Sequence, residues 1–435
     1  MRSTDTTRRE LLKRGGAGVA GISLLGGLAA CGGGGSGDGG VQKVTFSTTP
    51  DQEKIVRAQI ARFNARTKDV QASVRVFPAD SSQYFDRLRT QLQAGSGGPD
   101  VIAGDVSWPA QFSTNGWIVD LSSRFGEAER KKHVAGQLDS NLYQGKWWGV
   151  PWYTDCGLLY SRKDLLEKAG YSNPPTTWDE LKEMAAKVTK DAKVKNGLVF
   201  TGAIYEGGTV LGTEFIRCGG GDVLKDDKVV IGSQQAIAGL RAQQSLVAEG
   251  IAPKAVADYK EDENTAAFLR GDAVFMRQWP YAWDFVADKK QSKLDYDQLA
   301  LSRVPVAAAS VTPTNVGGGW NLYINAASDK QDAAWRLIQF MAAAPQQKEH
   351  ALEGSYLPTV ISLYKDPEVV DKLPAVKFGG EAVKQTTTPP VSPYYSDMSL
   401  AMSKQFNANV LGSVTPEQAA ETLQKELDTI VERGG

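Results

Sequence analysis

Histidine is nearly absent from this chain of 435 residues, which contains only His133 and His350. The two lie far apart, and neither has cysteines or carboxylates at the spacing of metal ligands, so the sequence predicts no metal site. Histidine is also the commonest general acid–base of enzymes. The sequence contains no G-x-S-x-G elbow, phosphate-binding loop, H-E-x-x-H segment, or G-x-G-x-x-G following a strand. We therefore expect neither an enzyme nor a cofactor.

Cysteine is scarce as well, with three residues in the chain. Cys31 belongs to the N-terminal segment described below, which leaves Cys156 and Cys218. Outside the cytoplasm this pair could form a disulfide, closing a loop of about 60 residues and stabilising the fold by about 4 kcal/mol. The alternative is a pair of buried free thiols, and the sequence leaves both open.

Net charge and long apolar runs are also lacking. With 49 basic and 50 acidic residues, the chain has no charge excess that would favour nucleic acid or an anionic membrane surface. Only the apolar run from Gly15 to Leu28 resembles a membrane segment, and it is short and rich in glycine. No later segment approaches the length of a membrane span.

The N-terminus has the three parts of an export signal: a basic start, an apolar middle and small residues at its end. Arg8 and Arg9 lie in T-R-R-E-L-L-K, which resembles the twin-arginine signal. Leu28-Ala29-Ala30-Cys31 resembles a lipobox, in which cleavage precedes the cysteine and its sulfur receives lipid. We expect residues 1–30 to be a signal peptide, Cys31 to be lipidated, and 31–40 to form a glycine-rich tether. The alternative is a disordered N-terminus with an incidental cysteine.

The segment that follows alternates between strand and helix patterns. QKVTFST and VQASVRV read as strands, and PDVIAGD as a short apolar strand that ends at Asp105. Between them lie two amphipathic segments, the first with Val56, Ile60 and Phe63 on one face. This alternation predicts an α/β fold with a parallel sheet, in which ligands bind beyond the carboxyl ends of the strands.

Aromatic residues recur beside carboxylates or glycines at the predicted strand ends. Trp108 follows Asp105, and Asp155 follows Tyr153. Tyr281 follows Trp279 and Trp320 follows Gly319, in the same kind of turn-like context. A flat ring covers the C–H face of a sugar, and a carboxylate accepts hydrogen bonds from its hydroxyls. The pattern favours a carbohydrate cleft, although each aromatic taken singly is also consistent with core packing.

Five segments together resemble family 1 extracellular solute-binding proteins of ABC importers, most of all the trehalose/maltose-binding branch. They are DVSWPAQFSTNGWIVDLSSRF, VPWYTDCGLLYSRKDLL, FMRQWPYAW, GGGWNLYIN and EGSYLPTVISLYKDPEV. The resemblance covers residues 41–435. It implies a two-lobe α/β fold of the type II periplasmic-binding-protein kind, with three hinge crossovers and a ligand cleft between the lobes. By family pattern, residues 41–152 and 306–350 form the N-terminal lobe, and 153–305 and 351–435 the C-terminal lobe.

The resemblance also implies which residues contact the ligand. Where the motifs match, those contacts fall on Asp105, Tyr153, Asp155, Trp279, Tyr281, Gly319 and Trp320, with Gln52 and Tyr84 as further candidates. Two positions depart from the branch, because Gln52 stands where a glutamate is usual and Pro389 where an arginine is usual. Loss of an arginine fork changes what a cleft holds tightly, so trehalose itself becomes a doubtful ligand.

The expected protein is a monomeric lipoprotein, anchored outside the cell membrane, that captures a di- or oligosaccharide and delivers it to membrane permease subunits. No nucleic-acid partner is expected. Two alternatives stay open: a secreted glycan hydrolase, and the same fold binding a polyol, a polyamine or a peptide. The sequence does not specify the sugar, its linkage or its length.

Overall fold

A computed structural model describes residues 40–226, 228–312, 314–376, 383 and 386–433. The predicted signal peptide with Arg8 and Arg9, the lipidation site Cys31 and the tether before residue 40 lie outside the described residues. Within them, no helix has the length and apolarity needed to cross a membrane.

The first of two main sheets has six strands. In spatial order they are Leu357–Pro358, Val150–Asp155, Gly318–Ile324, Val101–Asp105, Gln42–Thr48 and Val70–Val76. The last three are parallel to one another, which confirms the predicted alternation. Gly318–Ile324 runs antiparallel to both of its neighbours, so the sheet is mixed.

The helices that alternate with these strands are Glu53–Arg66 and Ser81–Gln93. The first buries Val56, Ile60 and Phe63, as their spacing predicts. The second is capped by Asp80, whose carboxylate accepts a hydrogen bond from the backbone N–H of Gln83. Asp80 therefore stands at the edge of the sheet where the strand before it has ended.

The second main sheet has four strands, in the order Leu299–Arg303, Leu158–Arg162, Ala273–Gln278 and Asn196–Val199. Three short strand pairs accompany the two sheets: Leu142–Tyr143 with Lys146–Trp147, Leu224–Lys225 with Lys228–Val229, and Asn315–Val316 with Thr386–Thr387. The chain passes from the first sheet to the second directly after Asp155 and returns before Gly318.

Helices cover both sheets. The other α-helices are Pro109–Thr114, Glu127–Arg130, Ala135–Asp139, Lys163–Lys168, Trp178–Ala192, Glu206–Cys218, Gln234–Ala248, Glu261–Leu269, Gln331–Met341, Ala344–Gly354, Pro367–Lys372, Tyr395–Val410 and Pro416–Glu432. Short 3₁₀ helices span Lys254–Asp258, Pro280–Ala287, Tyr296–Gln298 and Ile361–Lys365. Thr177 and Thr415 form capping boxes at two of these helix starts, where the sequence predicts N-caps.

The predicted lobe boundaries stay a prediction, but strand pairing extends the first sheet past two of them. Val150–Asp155 is one continuous strand, although the predicted boundary falls at residue 152. Leu357–Pro358 pairs with that strand, although residues 351–435 were assigned to the other lobe. Backbone pairing across a hinge leaves no pattern in the sequence, so motif spacing alone does not specify the residues at which the chain changes lobe.

The two cysteines of the described fold are free and buried. Cys156 packs with Leu158 and Tyr160 in the core of the second sheet. The Cys218 thiol points to the carbonyl of Thr314, with 3.9 Å between sulfur and oxygen. Of the two alternatives that the sequence leaves open, the structure contains the pair of free thiols.

Candidate functional site

A cleft of about 360 Å³ opens where several strand ends of the first sheet meet. Asp105 and Asp155 are the last residues of their strands, and Gly318 is the first residue of the antiparallel strand between them. Side chains from the second sheet and its helices form the opposite wall. Eight of the nine predicted ligand-contacting residues line this cleft: Gln52, Asp105, Tyr153, Asp155, Trp279, Tyr281, Gly319 and Trp320. Their part in binding stays a prediction.

Tyr84 does not line the cleft. Its side chain is completely buried, and its hydroxyl donates to the carbonyl of Ala103 at 2.8 Å. Its ring packs against Trp320, with 5.3 Å between the ring centroids. Tyr84 thus supports a cleft aromatic from behind.

Aromatic rings form one wall. Trp320 lies opposite Tyr153 on the neighbouring strand, and the two rings are nearly parallel, with an interplanar angle of 14° and centroids 6.4 Å apart. Tyr356 continues the wall, with its ring 4.9 Å from that of Tyr153 and 5.9 Å from that of Tyr281. Flat faces of this kind match the C–H face of a sugar ring, and tyrosine hydroxyls add polar edges.

Gly318 and Gly319 allow close packing on two sides of their strand, Gly319 against the neighbouring strand of the same wall and Gly318 against the opposite wall. Gly319 has φ of +102°, and a Cβ built there would lie 2.4 Å from the carbonyl oxygen of Tyr153. A Cβ on Gly318 would lie 3.0 Å from the indole of Trp279. Glycine is therefore required at position 319 by both backbone conformation and space.

Asp155 offers an unused acceptor in the cleft. Its side chain is buried, with 6% of the residue exposed, and its Oδ1 has no hydrogen-bond partner. Burial raises its pKa well above the usual value, against the opposing effect of Arg277, and Asp51 and Asp105 raise it further. Buried acceptors without partners are rare in folded proteins. Because the residue lines the cleft, its carboxylate is a place for a ligand to donate.

Gln52 and Asp105 are the other predicted polar contacts from the first sheet side. The Gln52 amide donates to the Tyr153 hydroxyl at 2.9 Å, and its own carbonyl oxygen has no partner. Asp105 Oδ1 accepts from the backbone N–H and the hydroxyl of Ser107, at 2.9 and 2.6 Å. Burial raises the pKa of Asp105, while the two bonds from Ser107 lower it.

The opposite wall contains carboxylates that were not predicted. Glu206 accepts from the hydroxyls of Tyr395 and Ser399, at 2.6 and 2.5 Å. Burial, reinforced by the charge of Asp105, raises the pKa of Glu206 to about 7. Glu261 accepts from the Tyr205 hydroxyl at 2.6 Å, and burial raises its pKa as well.

The stability of the unliganded protein should depend on pH because of Glu206. Its folded-state pKa lies above the usual value, so the ionised group opposes folding, and stability is lost as pH rises through about 7. Between about pH 6 and pH 8 we expect a loss of about 1.4 kcal/mol from this group. Urea unfolding at both pH values should show a smaller loss for Glu206→Gln than for the wild type. Equal losses in the two proteins would contradict the assignment.

Carboxylates dominate the charge of the whole cleft. The acidic residues along its lining are Asp51, Asp80, Asp105, Asp155, Glu206, Glu261, Asp262 and Glu263. Among the described lining residues, Lys260 alone carries a basic side chain, and it forms an ion pair with Asp80. Pro389, which stands where the resembling branch has arginine, also lines the cleft and presents no side-chain donor.

The two walls touch each other beside the cleft. Lys260 of the second wall pairs with Asp80 of the first. The backbone N–H of Glu206 donates to Ser82 Oγ at 3.1 Å, and the Gln111 amide donates to Ser396 Oγ at 3.0 Å. These contacts join segments attached to different sheets.

Trp279 rests on a buried ion pair. The Arg277 guanidinium lies 4.2 Å from the centroid of the Trp279 ring. Its Nε and Nη2 donate to the two oxygens of Glu214, at 2.8 and 2.7 Å, and both side chains are almost fully buried. The ion pair thus packs against the ring of Trp279 and supports it in the cleft wall.

Two α/β layers that enclose an aromatic, acidic cleft define a protein that holds a small polar solute between two lobes. Among the described residues, no group of three or more His, Cys, Asp or Glu has the geometry to hold a metal ion. Residues 47–348 match the model of the family described as "Bacterial extracellular solute-binding protein". The chain belongs to this family, whose members are solute-binding proteins rather than enzymes and serve ABC transporters.

Individual relatives agree with this assignment. The chain is 34% identical over 369 residues to a probable ABC transporter-binding protein of Deinococcus radiodurans, covering 82% of this chain and 86% of that one. It is 23% identical to a maltotriose-binding protein of Pyrococcus abyssi, covering 79% of this chain and 72% of that one. The structure of maltose-bound T. maritima MalE3 superimposes with a TM-score of 0.84 at 32% identity, covering 90% of this chain and all of that one. The fold is thus the two-lobe type II periplasmic-binding-protein fold.

Proposed function

We propose that this protein captures a di- or oligosaccharide between its lobes and hands it to the permease of an ABC importer. The Asp155 carboxylate carries the proposal. It is buried, its Oδ1 has no hydrogen-bond partner, and the residue lines the cleft together with Tyr153 and Trp320. An acceptor for hydroxyls beside flat apolar faces suits a sugar, which has both kinds of surface.

The relatives support a sugar rather than a peptide. The solved structure at 32% identity holds maltose, and one relative is named for maltotriose. Neither maltose nor maltotriose should simply be assigned to this chain, because Pro389 stands where the resembling branch has arginine. A guanidinium binds two oxygens at once, and proline cannot.

Capture is proposed to proceed by closure of the lobes. A ligand shifts such an equilibrium only by its preference for the closed state, so contacts from both walls are needed. Asp155 and Trp320 on one side, and Glu206 and Trp279 on the other, would supply them. The ion pair between Lys260 and Asp80 would help hold the closed form.

The anchored state is part of the same proposal. Arg8 and Arg9 would direct export, and lipidation of Cys31 would attach the mature protein to the outer surface of the cell membrane. A nine-residue glycine-rich tether has a typical reach of about 15–18 Å, which keeps the receptor near its permease. Labelling of Cys31 with a fatty-acid analogue in cells, and loss of the label in Cys31→Ala, would test the anchor.

Calorimetric titration against mono-, di- and oligosaccharides, with trehalose, maltose and polyols included, tests the function. Once a sugar is found, Asp155→Ala and Trp320→Ala should each weaken its binding by about 2 kcal/mol, or about 30-fold. A charge-assisted hydrogen bond is lost in the first variant and a stacked face in the second. Asp329→Ala and Trp147→Ala, which remove the same residue types outside the cleft lining, serve as controls. Unchanged affinity in both cleft variants would contradict the site.

A hydrolase acting on glycans is the rival function. Oligosaccharides incubated with the protein should be recovered at full length. The described cleft lining contains no histidine, and the chain belongs to a solute-binding family. Shortened products whose formation is lost in Asp155→Ala would overturn the proposal.

A further inference from the structure

The cleft contains more carboxylates than a neutral sugar requires. Eight carboxylates line it, against one lysine. Lys260 is paired with Asp80, and the nearby Arg277 gives both of its bidentate bonds to Glu214. Among the described residues of the lining, no further cation offsets the remaining carboxylates. Carboxylates therefore outnumber basic side chains along the described lining.

The hydrogen bonds that these carboxylates accept do not supply a counter-charge. Asp51 accepts from the Tyr356 hydroxyl at 2.6 Å, Glu261 from the Tyr205 hydroxyl, and Glu206 from two hydroxyls. Hydroxyl donors satisfy the oxygens but bring no positive charge. A neutral sugar would add only more hydroxyls while excluding water from the carboxylates, and crowded carboxylates in a desolvated site are costly to ionise without a counter-ion.

The counter-charge is not a metal. Among the residues that the structure describes, no cluster of His, Cys, Asp or Glu is arranged to hold a metal ion. The carboxylates instead come from both walls of a lining that also contains the rings of Tyr153, Trp279 and Trp320. Such a lining fits an organic cation, which gains from carboxylates and from aromatic faces together.

One oxygen marks a place for that cation. Asp155 is 6% exposed, and its Oδ1 is buried in the cleft wall without a donor. Burial raises the pKa of Asp155, the Arg277 guanidinium lowers it, and Asp51 and Asp105 raise it further. An ammonium group there would supply the missing donor and a positive charge in a single contact.

We infer that the ligand is an amino sugar, with a protonated amine held by Asp155 and the neighbouring carboxylates while the aromatic wall covers the sugar ring. This inference rests on the proposed function, because the aromatic wall is interpreted as a surface for sugar. It names the chemical class within carbohydrates: basic saccharides are preferred over neutral ones of the same size and linkage.

Titration with matched pairs tests the inference. Calorimetry at neutral pH and low salt compares glucose with glucosamine, trehalose with trehalosamine, and cellobiose with the β-1,4-linked disaccharide of glucosamine. In the pair that binds, the amino member is expected to bind at least about tenfold tighter, equivalent to 1.4 kcal/mol. The advantage should shrink in high salt, which screens charge, while the affinity of the neutral member stays nearly constant.

The ratio of the affinities for the amino and the neutral member of a pair, measured in a variant, tests where the amine binds. Asp155→Asn keeps the shape and removes the charge, and it should reduce the preference for the amino member to about threefold or less. Asp329→Asn makes the same change of net charge at a side chain that is 85% exposed outside the cleft lining, and it should keep the full preference. A preference that survives in Asp155→Asn would overturn this assignment.

The outcomes separate the inference from the proposed function. Binding of a neutral sugar with equal or greater affinity than its amino counterpart would overturn the inference and leave the sugar-binding function standing. Tight binding of spermidine or putrescine, with no binding of any saccharide, would overturn both. Absence of binding by every saccharide in the pairs would likewise count against both.

Discussion

Alanine at position 319 is expected to destabilise the protein by about 4 kcal/mol and to lower its affinity for ligand at least about tenfold. The reason is twofold. Gly319 has φ of +102°, a conformation that side chains with Cβ rarely adopt, and the added carbon would lie 2.4 Å from the Tyr153 carbonyl oxygen and 2.6 Å from the Thr154 Cα. The strand that carries Trp320 would have to shift, and the aromatic wall would shift with it. Urea unfolding and calorimetric titration of the same preparation measure both effects.

Gly116 provides the matched control. It also has a positive φ, of +68°, but a Cβ there would meet no atom within 4 Å. Gly116→Ala should therefore lose only the backbone contribution, about 1–2 kcal/mol, and should bind ligand normally. If Gly319→Ala lost no more stability than Gly116→Ala and kept its affinity, the close packing of this strand against Tyr153 would not be a requirement of the cleft.

The first wall of the cleft could be predicted because its residues stand at strand ends. The alternation of strand and helix patterns places Asp105 at the end of an apolar strand, and the structure has it there. Asp155 also ends its strand, whereas Trp320 lies near the start of an antiparallel strand and is predicted by the motif that resembles the family. Since the strand ends of a sheet meet at one edge, sequence pattern is enough to bring such residues together.

The residues of the second wall have no comparable pattern in the sequence that would mark them as cleft residues. Glu206 and Glu261 are the first residues of helices, where acidic residues are common because they favour the helix dipole. Their sequence context therefore does not distinguish a cleft residue from an ordinary helix start. Tyr84 shows the opposite problem: the resemblance predicts it in the cleft, but its helix turns it inward, where its hydroxyl donates a hydrogen bond to the Ala103 carbonyl. Whether such residues face the cleft or the core depends on how the two sheets and their helices pack, which the local sequence does not show.

Removal of the Glu214 carboxylate is expected to have a comparably large effect, lowering the free energy of unfolding by about 3–5 kcal/mol. Glu214 and Arg277 have side-chain exposures of only 3% and 4%, and Glu214 accepts both of the short hydrogen bonds from the guanidinium. In Glu214→Ala the arginine charge would be left buried and uncompensated. Because Arg277 lies 4.2 Å from the centroid of the Trp279 ring, its displacement should also weaken ligand binding. Urea unfolding measures the first effect and titration the second.

The double variant Glu214→Ala/Arg277→Met separates the loss of a charge from the loss of packing. Replacing both partners removes the uncompensated cation, since methionine keeps an apolar chain beneath the indole of Trp279. The double variant should therefore be more stable than Glu214→Ala alone, because apolar replacement of a whole buried pair is often close to neutral. Its ligand affinity should recover in parallel, since the ring again has a support. If the single variant were as stable as the double one, the ion pair would contribute nothing beyond its volume, and the fixed position of Trp279 would need another cause.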